Sequence, residues 1–152
     1  PLAAAAAADS DCSILEIVGE YHLGEFVNRF RRGSLTMQVA DGAAAPLPTL
    51  IFGTISGMVG VIASLPLEQY TFFQKVQASL AAAIKGIGGL SHAEWRSFAN
   101  ERKTVGAHGV IDGELIESYL ELPASLADEV ARAVGVSTDE LTQRVEELAR
   151  LH

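Results

Sequence analysis

The stretch Thr49-Leu-Ile-Phe-Gly-Thr-Ile-Ser-Gly-Met-Val-Gly-Val-Ile-Ala-Ser64 decides the fold of the first half of this chain. Two runs rich in β-branched and aromatic residues flank Ser56-Gly57, where glycine supplies the positive φ of a tight hairpin. Strands are therefore expected over residues 49–55 and 58–64. Upstream, Asp41-Gly-Ala-Ala-Ala-Pro-Leu-Pro48 reads as a loop, because its prolines remove ladder donors. Before that loop, Glu25-Phe-Val-Asn-Arg-Phe30 alternates as a strand with unlike faces. Strict alternation puts Phe26, Asn28 and Phe30 on one face and Val27, Arg29 and Arg31 on the other. Gly33-Ser34 interrupts the strand, and residues 35–39 resume it. Apolar side chains on both faces require cover on both sides, which three or four strands cannot supply themselves. An incomplete, antiparallel β-propeller blade fits this pattern, since adjoining blades provide the cover.

The character of the sequence changes near Pro66. Tyr70, Phe73, Val76, Leu80, Ile84 and Ile87 then recur at helical spacing, and Gly86, Gly88 and Gly89 end the run. Ser91-His-Ala-Glu94 is a capping-box pattern opening a short helix with Trp95 and Phe98. Residues 100–109 read as a loop. Asp112 is placed to cap a helix carrying Leu115, Ile116, Tyr119 and Leu120, which Pro123 stops. Residues 125–134 form another helix closed by Gly135, and Ser137-Thr-Asp-Glu140 opens the last one. The expected class is thus mixed β and α. Residues 1–13 are an Ala-rich loop or linker remnant, 14–65 terminal propeller strands, and 66–152 a small all-α C-terminal domain.

Composition narrows the function. The formal net charge is −8, with 19 acidic against 11 basic residues. That balance disfavours binding to a phosphate backbone, which needs clustered cations. Arg29, Arg31 and Arg32 form an isolated basic cluster, read as a solvated face or a protein contact. Cys12 is the single cysteine, so no internal disulfide and no cysteine-based zinc site is expected. The chain opens on Pro1 and shows no signal-peptide pattern, which reads as truncation of a longer protein on its N-terminal side.

Catalytic motifs fail one by one. Gly53-Thr-Ile-Ser-Gly57 lacks the spacing of a nucleophile elbow, which also requires a strand followed by a helix. The glycines after residue 85 follow a helix and lack the Lys-Ser or Lys-Thr of a phosphate loop. Glu114 and Glu117 read as a solvated helix face. His22, beside Glu25, and His108 have no partner cluster. No cofactor, metal or enzymatic activity is expected.

Four segments carry a resemblance: Val18-Gly-Glu-Tyr-His-Leu-Gly-Glu-Phe-Val-Asn28, Phe52-Gly-Thr-Ile-Ser-Gly57, Trp95-Arg-Ser-Phe-Ala-Asn-Glu-Arg-Lys-Thr104 and Ile111-Asp-Gly-Glu-Leu-Ile-Glu-Ser-Tyr-Leu120. With the closing Arg144-Val-Glu-Glu-Leu-Ala-Arg-Leu-His152, they resemble the C-terminal region of the large subunit of damage-specific DNA-binding protein. The resemblance implies three propellers plus a helical C-terminal domain, of which this chain holds the last strands and the helices. It implies an adaptor of a cullin-RING ubiquitin ligase, linked to DNA repair and protein ubiquitination, in nucleus and cytoplasm. Substrate-receptor proteins would occupy a propeller cleft, the cullin an upstream propeller, and damaged DNA would be read through a partner subunit, without a membrane role. The positions matching the receptor-binding cleft are Phe26, Asn28 and Ile55, while Ser56 departs from the family's frequent Asn. Related scaffold subunits of splicing and polyadenylation complexes share the helical end and give the alternative reading, an RNA-processing scaffold.

Overall fold

The computed structural model describes residues 15–35 and 47–152. The Ala-rich start, the resumed strand beyond Leu35 and most of the loop before Leu47 lie outside them. Three antiparallel strands, β1 (Val27–Arg32), β2 (Thr49–Thr54) and β3 (Val59–Ala63), form one sheet in the order β1-β2-β3. The β2–β3 hairpin stands where its β-branched runs put it, with each strand one residue shorter at the turn. The Thr54 N–H donates to the Met58 carbonyl at 2.9 Å, and the Met58 N–H returns to Thr54 Oγ1 at 3.1 Å. Gly57, at φ +95°, takes the left-handed position that closes this loop.

The β1–β2 register corrects the expected alternation. Val27 lies opposite Thr54, but Arg29 lies opposite Gly53, so Asn28 is an extra residue in a β-bulge. Directly opposed residues share a face. Val27 and Phe30 therefore share the face of Thr54 and Phe52, while Arg29 and Arg31 share that of Gly53 and Ile51. One inserted residue reverses the faces upstream of it. Phe26 accordingly precedes Val27 on the side away from Phe30.

The sheet buries little. Phe52 is its one buried apolar side chain among the described residues, with its ring over Gly60 on β3. Phe30 sits 6.2 Å from the Phe52 ring, centroid to centroid, and remains 53% exposed. Val59 and Ile62 are also largely exposed. The apolar runs thus stay uncovered within the described residues.

The helical part has a separate core. Helix α1 (Leu67–Ala83) follows Pro66, whose missing N–H costs nothing at a helix start, and buries Phe73, Val76 and Leu80. Helices α4 (Ala124–Val134) and α5 (Thr138–Ala149) add Val130, Ala131, Leu141 and Val145, with Ile116 and Tyr119 between them. Among the described residues no strand residue joins this cluster. Gly135, at φ +88°, ends α4; its N–H and that of Val136 both donate to the Ala131 carbonyl, at 3.0 and 3.1 Å. No helix of the described residues is long and apolar enough to cross a membrane.

The second part is not all helix. Phe98 leaves helix α2 (His92–Trp95) and enters a two-stranded ribbon, β4 (Phe98–Ala99) against β5 (Thr104–Val105). Asn100 makes the turn, its Oδ1 accepting from the N–H groups of Arg102 and Lys103 at 2.9 Å each. Helix α3 (Gly113–Glu117) runs into a tighter 3-10 turn, Ser118–Glu121. The segment before the sheet docks here, since Glu20 bridges antiparallel to His108 and the His22 N–H donates to the Arg96 carbonyl at 3.3 Å.

Candidate docking site

The bulge and the hairpin turn meet at one corner of the sheet. The Ile55 N–H donates to the Phe26 carbonyl at 3.1 Å, extending the ladder one step past β1 and β2. This bond joins two sequence-expected site residues from segments 29 positions apart, and both side chains stay open, Phe26 at 68% and Ile55 at 72% exposure. Asn28, the third, is exposed on the bulge itself. The result is two apolar side chains and an amide on backbone held by main-chain bonds, with no side chain of the helical core among them.

A polar clamp stiffens the same corner. The Ser56 hydroxyl donates to the Glu25 carboxylate and lies 2.9 Å from Thr54 Oγ1. Hydrogen bonds from Ser56 and then Thr54 hold the Glu25 carboxyl below the usual range. Ser56 thus makes a polar link across the turn. Sequence reading missed Glu25 as part of the corner, because its partners lie about thirty residues away.

A second cluster locks the segment before β1 to the ribbon and α3. Arg96, buried, donates from Nε to Asp112 Oδ2 at 2.7 Å and from Nη2 to Glu114 Oε2 at 2.6 Å. His92 Nε2 reaches the same Asp112 oxygen at 2.8 Å, and Gln77 Oε1 accepts the Asp112 backbone N–H at 2.7 Å. Tyr21 lays its ring 4.9 Å from the guanidinium carbon of Arg96. Burial, then the Asp112 charge beside it, drives the Tyr21 hydroxyl far above its ordinary pKa. Asp112 begins α3 but makes no side-chain cap bond, correcting the capping role expected of it. Here the guanidinium and the imidazole converge on the Asp112 carboxylate, and Glu114 takes a second bond from the guanidinium. Among the described residues no three of His, Cys, Asp and Glu are grouped to hold a metal ion.

The remaining histidines are spread out. His108 backs onto Glu20, with Nδ1 4.0 Å from its carboxylate, and the His22 ring lies tilted against Phe98, with centroids 5.9 Å apart. An open cleft lies there, lined by Tyr21, His22, Phe98, Lys103 and Val105.

The family model described as "CPSF A subunit region" matches residues 3–121. The chain belongs to this family. It is 56% identical over 146 residues to DNA damage-binding protein 1b of Arabidopsis thaliana, covering 96% of this chain and 13% of that protein. Against DNA damage-binding protein 1 of Solanum lycopersicum the identity is 57% over the same coverage. The protein of that name from Oryza sativa subsp. japonica is 56% identical over 147 residues, 97% of this chain and 14% of the relative. The chain therefore spans about one seventh of the length of the curated relatives it matches, and the similarity agrees with the resemblance carried by its motifs.

Proposed function

We propose that this chain is a non-catalytic scaffold segment of a cullin-RING ubiquitin ligase adaptor, and that its Phe26–Ile55 corner docks substrate-receptor proteins. The observation that carries the reading is the 56% identity to DNA damage-binding protein 1b over 96% of the chain. The exposed corner supports it, because an aromatic anchor and an aliphatic neighbour beside an amide suit an apolar contact with a hydrogen-bonding rim. The relatives are named for damaged DNA, yet this chain carries a net charge of −8. That acidity favours DNA contact through a partner subunit, and a nuclear role follows from the same reading. The cullin would sit on sequence outside this chain.

The test uses the full-length protein. Phe26→Ala is expected to weaken receptor binding by about 1–3 kcal/mol, the range of a truncated anchor, measured by calorimetry with unchanged circular dichroism. Unaltered affinity with an intact fold removes Phe26 from the contact.

The description of the matching family model, CPSF A subunit region, favours a second reading, a scaffold of a polyadenylation or splicing complex. Affinity purification of the full-length protein separates the two. Recovery of a cullin supports the first, and recovery of RNA-processing subunits without one supports the second.

A further inference from the structure

The isolated basic cluster of this acidic chain runs into a serine, Arg31-Arg32-Gly33-Ser34-Leu35. All five residues are exposed. Arg31 lies opposite Ile51 and Arg32 opposite Leu50, so the two guanidinium groups leave the strand on opposite sides, as in an extended peptide. β1 is an edge of its sheet, paired with β2 alone among the described residues. Gly33 is anchored to β2, its N–H donating to the Thr49 carbonyl at 3.2 Å and its carbonyl accepting from Thr49 Oγ1 at 2.6 Å. At φ +146° that position suits glycine, and it adds no side chain beside the hydroxyl that follows. Leu35, 54% exposed, provides an apolar residue immediately after it.

We propose that Ser34 is a phosphorylation site for a basophilic serine/threonine protein kinase that reads Arg31 and Arg32. Such enzymes choose substrates by charge pattern, and each arginine fork pairs with carboxylates of an acidic groove. The Ser34 oxygen attacks the γ-phosphorus of Mg-ATP and forms a new O–P bond. The bond from that phosphorus to the β,γ-bridging oxygen breaks, ADP leaves, and the hydroxyl proton passes to the kinase's catalytic aspartate. The product adds a charge of about −1.5 to −2 within reach of Arg31 and Arg32. The formal charge of the cluster of Arg29, Arg31 and Arg32 then falls from +3 to about +1 to +1.5.

The native full-length protein is incubated with the catalytic subunit of cyclic-AMP-dependent protein kinase and Mg-ATP, and phosphopeptides are mapped by mass spectrometry. One phosphate on Ser34 is expected, with Ser34→Ala abolishing it. The double variant Arg31→Ala, Arg32→Ala should lower the rate by about tenfold or more. Labelling seen only after denaturation, a rate indifferent to the arginines, or no phosphate on Ser34 overturns the proposal. So does an unmodified Ser34 peptide in protein isolated from its own cells with phosphatases inhibited.

Discussion

Asp112 opens helix α3, yet its carboxylate turns from the helix to Arg96 and His92. Burial by itself would raise its pKa. Hydrogen bonds from Arg96, His92 and Tyr21 outweigh that effect and hold the carboxyl below its ordinary value. A carboxyl lowered in the folded state contributes stability above its unfolded pKa of about 3.9, and loses it as pH falls through the folded value. Asp112→Asn should cost about 3 kcal/mol at neutral pH, the low end for a broken buried pair, because Glu114 keeps one bond to Arg96. Denaturant midpoints taken from pH 7 down to pH 2 check both points. The parent protein should lose stability below about pH 4 more steeply than the variant. Parallel pH profiles would mean that Asp112 titrates normally in the fold. The Ile-Asp-Gly and Trp-Arg-Ser-Phe motifs were visible in the sequence, but their joint purpose was not. Their acid and base sit 16 positions apart and meet only through tertiary contact.

At the scale of elements, what could be read from the chain was what is encoded locally. The Ser91–Glu94 capping box forms in both directions, and Ser137 accepts from the Glu140 N–H at 3.2 Å, because each needs residues only three apart. The bulge at Asn28 left no such trace, since an inserted residue is defined by its partner strand. The β4–β5 ribbon has two residues per strand, too few for any period to show. Cross-strand packing on the sheet was equally hidden. A side chain added at Gly60 would run into the ring of Phe52, which is buried on the sheet. Gly60→Ala is therefore expected to cost about 1–3 kcal/mol by overpacking. Loss of hydrogen-exchange protection in β2 and β3 would register it. Gly106→Ala is the control, because a Cβ there meets nothing within 4 Å, and surface changes of that kind stay within about 0.5 kcal/mol. Equal effects from both variants would show that backbone entropy, and not the ring, sets the cost.

Across the whole molecule, two bodies of packing share one chain. Among the described residues, the helical core takes in Leu65, just after β3, but no residue of the sheet itself. The segment before β1 crosses over to the ribbon and α3 through the Glu20–His108 bridge and the Tyr21–Arg96 stack. Composition and periodicity separated strands from helices, but they carried no sign of this crossing, which spans more than seventy positions. The candidate site was less legible still: alternation grouped Phe26 with Phe30, and the family resemblance, not the pattern, paired Phe26 with Ile55. Stability should divide along the same lines as packing, since regions with few buried apolar contacts open at lower free energy. Leu141, fully buried in α5, tests this. Leu141→Ala should cost about 2–5 kcal/mol where its cavity is felt. Native-state hydrogen exchange should then show α1, α4 and α5 amides losing protection by that amount. The β2 and β3 amides should keep their rates, because among the described residues no side chain of that sheet belongs to the helical core. If the strands lose the same free energy as the helices, the chain opens as one cooperative unit and the separate cores do not act separately.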